Sequence, residues 1–446
     1  MSLLIAACSA PSGEANRPYL HYAVETAAWL RGIAVRSDSG TSWPDDALHP
    51  DHTGIGLAEG VSGKILFFLA LHGATGDEVY LETARGGADY LLAALPGAPG
   101  NADVLRIGSS LYGGVAGVAF TLAETASRTG DHRYREGALR AVQLLQAQAS
   151  RDAEGAWWST YNDVLNGNAG TGLVLLYAAR QLQHEPSLRL AIAAGEKLIA
   201  RGMADRGGVT WKLREDRDFI LPNFSHGAAG IGYFLAELYR ATERPDFLDA
   251  ALASARYLEA VARTDGGTFL VPYGWPDAGW ERPYDIGWAH GPAGTARFFY
   301  DLWRITGDQH WLDRVRQSAR GILASGLLGV PARGDFGTEP FRIDRRFALG
   351  SVAEFFMDLY GVTREPEDLD VAVRLTEHIA GRATRDSAGM RWRVPRYSFM
   401  DNAGAPAEFT GYFYGSAGHG LLMLQLDAAL RGEDRPMPLP DNPFDR

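Results

Sequence analysis

Three side chains stand where they could move protons. His226 and His290 each sit one residue ahead of closely spaced glycines, in Ser225-His226-Gly227-Ala228-Ala229-Gly230 and Trp288-Ala289-His290-Gly291. Asp163 precedes a third such pair, in Tyr161-Asn162-Asp163-Val164-Leu165-Asn166-Gly167. Imidazole is the side chain best suited to exchange a proton near neutrality, and a carboxylate can orient it. Arg282 could hold a carboxylate or another oxyanion. Tyr273, Trp275, Tyr284 and Trp288 crowd the same stretch and offer faces for stacking on a ligand. Trp157, Trp158, Trp211, Trp392 and Tyr412 occupy loops of the same kind, where a cavity mouth is expected. The competing reading makes the histidines and Asp163 helix-end residues, and the aromatics packing between loops and helices. His419, just after a motif glycine, fits that structural reading best.

The elements that must position these residues come from a repeat. A small-residue turn followed by an apolar run begins at Gly60, Gly114, Gly167, Gly227, Gly291, Gly350 and Gly415, at intervals of 53–65 residues. The copy Gly350-Ser351-Val352-Ala353 has lost its second glycine. Runs such as Ile65-Leu66-Phe67-Phe68-Leu69-Ala70 are apolar nearly all round, as in a helix buried on most faces. Between them, Asp246 to Val261, Leu312 to Leu323 and Leu369 to Ile379 alternate apolar and charged residues at helical spacing. Seven inner and seven outer helices follow, and the first and last copies both carry the full glycine motif. Neither end reads as a polar cap, so a closed ring is expected rather than an open solenoid. The fold expected is an all-α (α/α) toroid over residues 1–446 as one domain, with a short segment 1–17 and a Pro-rich tail 435–446 outside the repeats. In such a ring the glycine turns gather at one end of the inner helices and line a shared cavity.

Composition narrows the chemistry. The 446 residues are 46% hydrophobic and 22% charged, the balance of a folded chain. With net charge −11 and no basic run, a nucleic-acid partner is not expected. No stretch reaches the roughly 18–20 apolar residues of a membrane span. The one cysteine, Cys8, precludes an internal disulfide and any zinc site built from two of the chain's own thiolates. Ile5-Ala6-Ala7-Cys8 has the look of a lipoprotein cleavage site without a basic region before it. A cytoplasmic start is the expected reading, a lipoprotein the alternative if translation begins upstream.

The seven copies, with Ser225-His226-Gly227 in the fourth and Trp288-Ala289-His290-Gly291 in the fifth, resemble the lanthionine synthetase C-like family over nearly the whole chain. That resemblance implies addition of a thiol to dehydroalanine or dehydrobutyrine, within a precursor peptide or from glutathione. It assigns His226 to proton handling, matches Asp163 to a family acid, and reaches Arg282 only approximately. Partners implied are a modified precursor peptide or thiol substrate and a kinase or dehydratase. Zinc-dependent members carry Trp-Cys-x-Gly in the fifth copy and Cys-His-Gly in the sixth. Aligned on Gly350, the ligand positions here are Ala289, Ala348 and Leu349. No metal or other cofactor is therefore expected, and thiol activation would fall to His226 or His290. Two other functions stay open. A carbohydrate-active enzyme on an α/α toroid would need two acids facing the cavity, with Asp163, Asp277, Glu281, Asp285 and Glu354 available. A binding scaffold without catalysis would need none.

Overall fold

The computed structural model describes residues 17–96, 108–274, 283–327, 342–346 and 348–444. Within them are fourteen α-helices. The seven inner ones are α2 (Val61–Thr75), α4 (Val115–Thr129), α6 (Asn168–Gln181), α8 (Ala228–Thr242), α10 (Pro292–Thr306), α12 (Leu349–Thr363) and α14 (Ser416–Arg431). The outer ones are α1 (Pro18–Gly32), α3 (Glu78–Ala94), α5 (His132–Gln148), α7 (Glu185–Arg201), α9 (Pro245–Val261), α11 (Gln309–Leu323) and α13 (Pro366–Gly381). Each inner helix packs on the outer helix that follows it, and α14 packs on α1. Inner helices also touch in sequence around the ring, with α14 meeting α2, so the toroid closes on itself. Arg17 reinforces the closure by pairing with Asp427 on α14 at 2.5 Å.

Local chemistry makes the tight inner-to-outer turns. In Thr75-Gly76-Asp77, Thr129-Gly130-Asp131 and Thr306-Gly307-Asp308 the glycine takes a left-handed φ of 71°, 68° and 70°. The aspartate then caps the next helix, accepting from the N–H of Val79, Arg133 and His310 at 2.9–3.0 Å. The threonine hydroxyl accepts the aspartate's own N–H at 3.2 Å.

The longer outer-to-inner connections carry short antiparallel hairpins that the sequence reading did not anticipate. Four of them, including Ser150–Asp152 with Gly155–Trp157 and Thr384–Asp386 with Gly389–Arg391, are followed directly by a tryptophan. Trp43, Trp158, Trp211 and Trp392 donate their indole N–H to the carbonyls of Leu30, Leu145, Leu198 and Ile379 at 2.6–2.8 Å. These indoles satisfy orphan carbonyls at outer-helix C-termini, so the expectation that Trp158, Trp211 and Trp392 border a cavity mouth is corrected.

Glycine at the inner-helix starts permits close approach between turns: a Cβ on Gly227 would collide with the carbonyl of Leu221, and one on Gly230 with that of Phe224. The sixth copy differs from the sequence reading. Its cap residue is Ala348, the place held by Gly60, Gly114, Gly167, Gly227, Gly291 and Gly415 elsewhere. Ser351, not Ala353, takes the second glycine's place, and its hydroxyl donates to Ala348 O at 2.8 Å and accepts the N–H of Trp288 at 3.0 Å.

This register exposes a collar. The residues two positions ahead of each cap are Ala58, Tyr112, Leu165, Ser225, Ala289, Arg346 and Phe413. Backbone hydrogen bonds of 2.8–3.1 Å run from turn to turn through them: Ala58 to Tyr112, Leu165 to Ser225, Ser225 to Ala289, Ala289 to Arg346, Arg345 to Phe413, and Phe413 to Ala58. The collar holds the mouth of the toroid.

Below it, Trp288, Tyr112, Phe413 and Phe224 pack ring on ring, with centroids 4.5–6.0 Å apart. Below these lies a buried ionic layer that receives the C-terminal tail. Asp441 accepts from Tyr112 Oη at 2.9 Å, Trp288 Nε1 at 3.1 Å and Arg297 Nη1 at 3.2 Å. Arg304 donates to Pro443 O at 2.8 Å and Phe444 stacks on Tyr300 at 4.0 Å. The tail, expected only as an appendage to the repeats, lies against the later turns of α10 and α12 and fills the axis. Residues 1–16, with the lipoprotein-like Ile5–Cys8, lie outside the described residues.

Candidate active site at the glycine-turn mouth

The turns of the third and fourth copies bring Asp163 and His226 together. Asp163 is fully buried; its Oδ1 accepts the N–H of Asn166 at 2.7 Å, and its Oδ2 lies 2.6 Å from His226 Nδ1. One oxygen thus braces its own turn while the other orients the imidazole. On the opposite edge, Arg346 Nη2 stands 3.3 Å from His226 Nε2. Guanidinium only donates, so Nε2 accepts and the ring proton sits on Nδ1, directed at Asp163. The tautomer follows from the two partners.

His290 stacks on His226 with centroids 5.3 Å apart, and Tyr273 packs on His290 at 4.1 Å. The backbone carbonyl of Tyr273 accepts from Asn223 Nδ2 at 3.0 Å, which anchors its loop to the fourth copy. Tyr284 is half-buried, with Arg263 over its ring at 4.5 Å. Trp288 is buried in the aromatic layer below the collar, its N–H committed to Asp441. Trp275 and Arg282 fall outside the described residues.

Arg346 is the residue that sequence reasoning missed. Besides His226 it reaches Tyr414, donating from Nη1 to the phenol oxygen at 2.8 Å, and lies 5.9 Å from the Phe413 ring. Nothing in Arg342-Ile343-Asp344-Arg345-Arg346 marks it, because its place depends on the sixth copy's register. Its neighbour Arg345 points the other way, into the buried layer, donating to Glu354 Oε2 at 2.8 Å. Glu59, one residue ahead of the first cap, borders the same mouth. Burial pushes its carboxyl well above the usual carboxylate range, against the pull of Lys64.

His419 is a different kind of histidine. It is fully buried beside Trp392, with ring centroids at 4.6 Å, and neither ring nitrogen has a hydrogen-bond partner. Burial first, and the charge of Arg345 second, push its pKa down to about 3. Folding therefore holds it neutral while the unfolded chain takes up a proton below about pH 6.5. Stability should fall as pH drops below that value, by about 1.4 kcal/mol per unit for this one group. His419→Leu should flatten this acid limb, gaining roughly 2 kcal/mol relative to wild type between pH 7 and pH 5. Urea titrations at several pH values check it; parallel curves for the two proteins would refute it.

The corrected register also settles how the site compares with a zinc centre. The two residues ahead of the sixth cap are Arg346 and Phe347, so the ligand positions are Ala289, Arg346 and Phe347 rather than Ala289, Ala348 and Leu349. A methyl, a guanidinium and a phenyl supply no ligand atoms, and the guanidinium repels a cation. Among the described residues, no three His, Cys, Asp or Glu side chains come together in a way that could hold a metal. The residues present do not fit zinc.

The family signature described as "Lanthionine synthetase C-like protein" matches residues 51–332. The chain belongs to that family. Among solved structures it is similar to nisin cyclase, at 16% identity with a TM-score of 0.61, covering 91% of this chain and 97% of that one. It is also similar to a family 76 glycoside hydrolase (mannosidase) of Bacteroides thetaiotaomicron VPI-5482, at 14% identity and TM-score 0.51, covering 92% and 99%. An unsaturated glucuronyl hydrolase specific for heparin matches at 11% identity and TM-score 0.51, covering 95% and 100%. At these identities the likenesses establish the α/α toroid fold. No curated protein matches by sequence. No helix among the described residues is long and apolar enough to cross a membrane.

Proposed function

We propose that this protein adds a thiol to a dehydroalanine or dehydrobutyrine residue of a modified peptide, and does so without zinc. The observation that carries the reading is His226, oriented by Asp163 at 2.6 Å and presenting Nε2 at the mouth of the toroid. In the reaction the thiol proton passes to His226 Nε2 and the sulfur bonds to the β-carbon. The alkene electron pair moves onto the α-carbon and its carbonyl as an enolate. The proton held on Nε2 then passes to the α-carbon. One S–H bond and one π bond are consumed, and one S–C and one C–H bond are formed. His290 and Tyr273, stacked beside His226, would wall the bound peptide. Trp275 and Tyr284 belong to the same proposed binding loop, and Arg282 to its oxyanion contacts, while Trp288, buried below the collar, supports that loop rather than the ligand.

A substrate alkene of this kind must come from an enzyme that eliminates water or phosphate from serine or threonine, so a kinase or dehydratase partner belongs to the proposal. So does a cytoplasmic setting, where the thiol stays reduced. The carbohydrate reading is less well supported. Glu354 is buried among Arg345, Arg297 and Arg435, and Asp285 accepts the backbone N–H groups of its own turn. Asp277 and Glu281 lie outside the described residues.

A synthetic peptide holding one dehydroalanine and one cysteine tests the function. Intramolecular addition leaves the mass unchanged and removes the free thiol, so resistance to alkylation reports the product. Enzyme-dependent resistance is expected; alkylation equal to the uncatalysed control would overturn the reading.

A further inference from the structure

We propose that Arg346 is the thiolate-binding centre of this site, its guanidinium supplying the fixed positive charge that pairs with the sulfur as the thiol loses its proton. The inference rests on the thiol-addition reading and deepens it. Three observations carry it. The first is place: the corrected register puts Arg346 two residues ahead of the sixth cap, on the collar, where Ala289 is its counterpart in the fifth copy. The backbone N–H of Ala289 donates to Arg346 O at 2.9 Å, so the two positions are adjacent around the mouth. The second is contact: Nη2 lies 3.3 Å from His226 Nε2. The one lone pair of Nε2 faces Nη2, so a sulfur that hands its proton to that nitrogen takes over the contact and comes to rest beside the guanidinium. The third is constancy. Guanidinium keeps its charge at every pH the protein experiences, so it stabilises thiolate without having to be protonated first.

The step balances within the chain's own residues. The S–H bond breaks, its proton goes to Nε2, and the electron pair left on sulfur faces Nη2 until it forms the S–C bond. Packing holds the cation in place: Tyr414 accepts from Nη1 at 2.8 Å, and the rings of Phe413 and Phe399 lie 5.9 and 5.8 Å from its carbon. The other titratable groups around the mouth are Glu59, Asp163, Asp344, His226, His290 and Tyr414. Burial drives Glu59 toward its neutral form, which weakens the nearest acid of the first copy as a rival for the guanidinium. Asp163 already serves His226 and its own turn.

The test reads thiolate directly, apart from turnover. Glutathione is titrated into a Cys8→Ser background, which removes the chain's own thiol, and thiolate is followed by ultraviolet difference absorbance across pH. Bound glutathione should show at least tenfold more thiolate near pH 7 than free glutathione, the effect of a charged partner at contact. Arg346→Met should return it to the free level while Arg346→Lys keeps part of it, with circular dichroism confirming the fold of both. His226→Gln should keep the excess thiolate at equilibrium and lose the addition reaction. Equal thiolate in Arg346→Met and the parent, or no excess in the parent, would overturn the proposal. Excess thiolate without addition to a dehydroalanine peptide would instead overturn the thiol-addition reading and leave the binding centre standing.

Discussion

His226→Ala should lower the rate of thiol addition by roughly 10²–10⁴-fold, the usual contribution of a positioned acid or base. The variant should stay folded. His226 sits ahead of its helix cap, and the cap itself, Gly227, uses backbone rather than side chain. Removing the imidazole does leave Asp163 Oδ2 without its partner in a buried place, which costs about 1–3 kcal/mol of stability. Asp163→Asn offers a sharper variant. It keeps the shape but can present an N–H to Nδ1, which favours the tautomer with its proton on Nε2, the one that cannot accept from a thiol. Rates for both variants on the dehydroalanine peptide, measured beside thermal unfolding, separate chemistry from folding. Full activity in His226→Ala and in His290→Ala would remove proton transfer from the mechanism and leave histidines that only line the turns.

Asp441→Ala should destabilise the fold by about 3–5 kcal/mol, the range for breaking a buried ion pair from one side. One carboxylate oxygen serves Tyr112, Trp288 and Arg297, and all three donors are buried. Truncation leaves Arg297 with the carboxylate of Glu354, 3.5 Å away, which Arg345 and Arg435 also share. Burial works against Glu354's charge, but Arg345, Arg297 and Arg435 together hold its pKa below the usual value. Its contribution is therefore present above the unfolded pKa and fades as pH falls through the lower folded one. Equilibrium unfolding in urea near pH 7 reads the Asp441 effect. A midpoint equal to wild type would show that the Asp441 carboxylate adds no stability to the ring.

The ring was legible because its cause is local. A buried helix meeting its neighbours at a tight turn needs small residues at a fixed spacing, and six of seven copies state that need in glycine. The outer helices were legible for the same reason, since charge opposite apolar stripes is a property of a few consecutive turns. The sixth copy misled. Gly350 looked like a first glycine, whereas the structure spends it inside the first turn of α12 and seats Ala348 at the cap. That two-residue shift hid Arg346, whose importance exists only once the collar is drawn. Asp163 and His226 were found because both stand at motif positions, but their pairing across 63 residues needs the ring. The tail was opaque for another reason. Met437 and Leu439 are buried and Asp441 fully so, yet a Pro-rich stretch carries no period that announces where it will dock.

The collar has a consequence for how such a site can change. Six of its links are main-chain hydrogen bonds, so most side chains one and two residues ahead of the caps stand outside the bonding that fixes the opening; Ser225, whose hydroxyl donates to Ala289 O at 2.8 Å, takes part in it. Glu59, His226, His290 and Tyr414 occupy one tier of these places, and Ala289 and Arg346 the other. Each of the seven turns thus works as an independent slot, filled by a single codon and presented to a common space. Reactivity can be exchanged at one such slot while the main-chain links stay in place, as Ala289 and Arg346 show by standing at equivalent positions with unlike side chains.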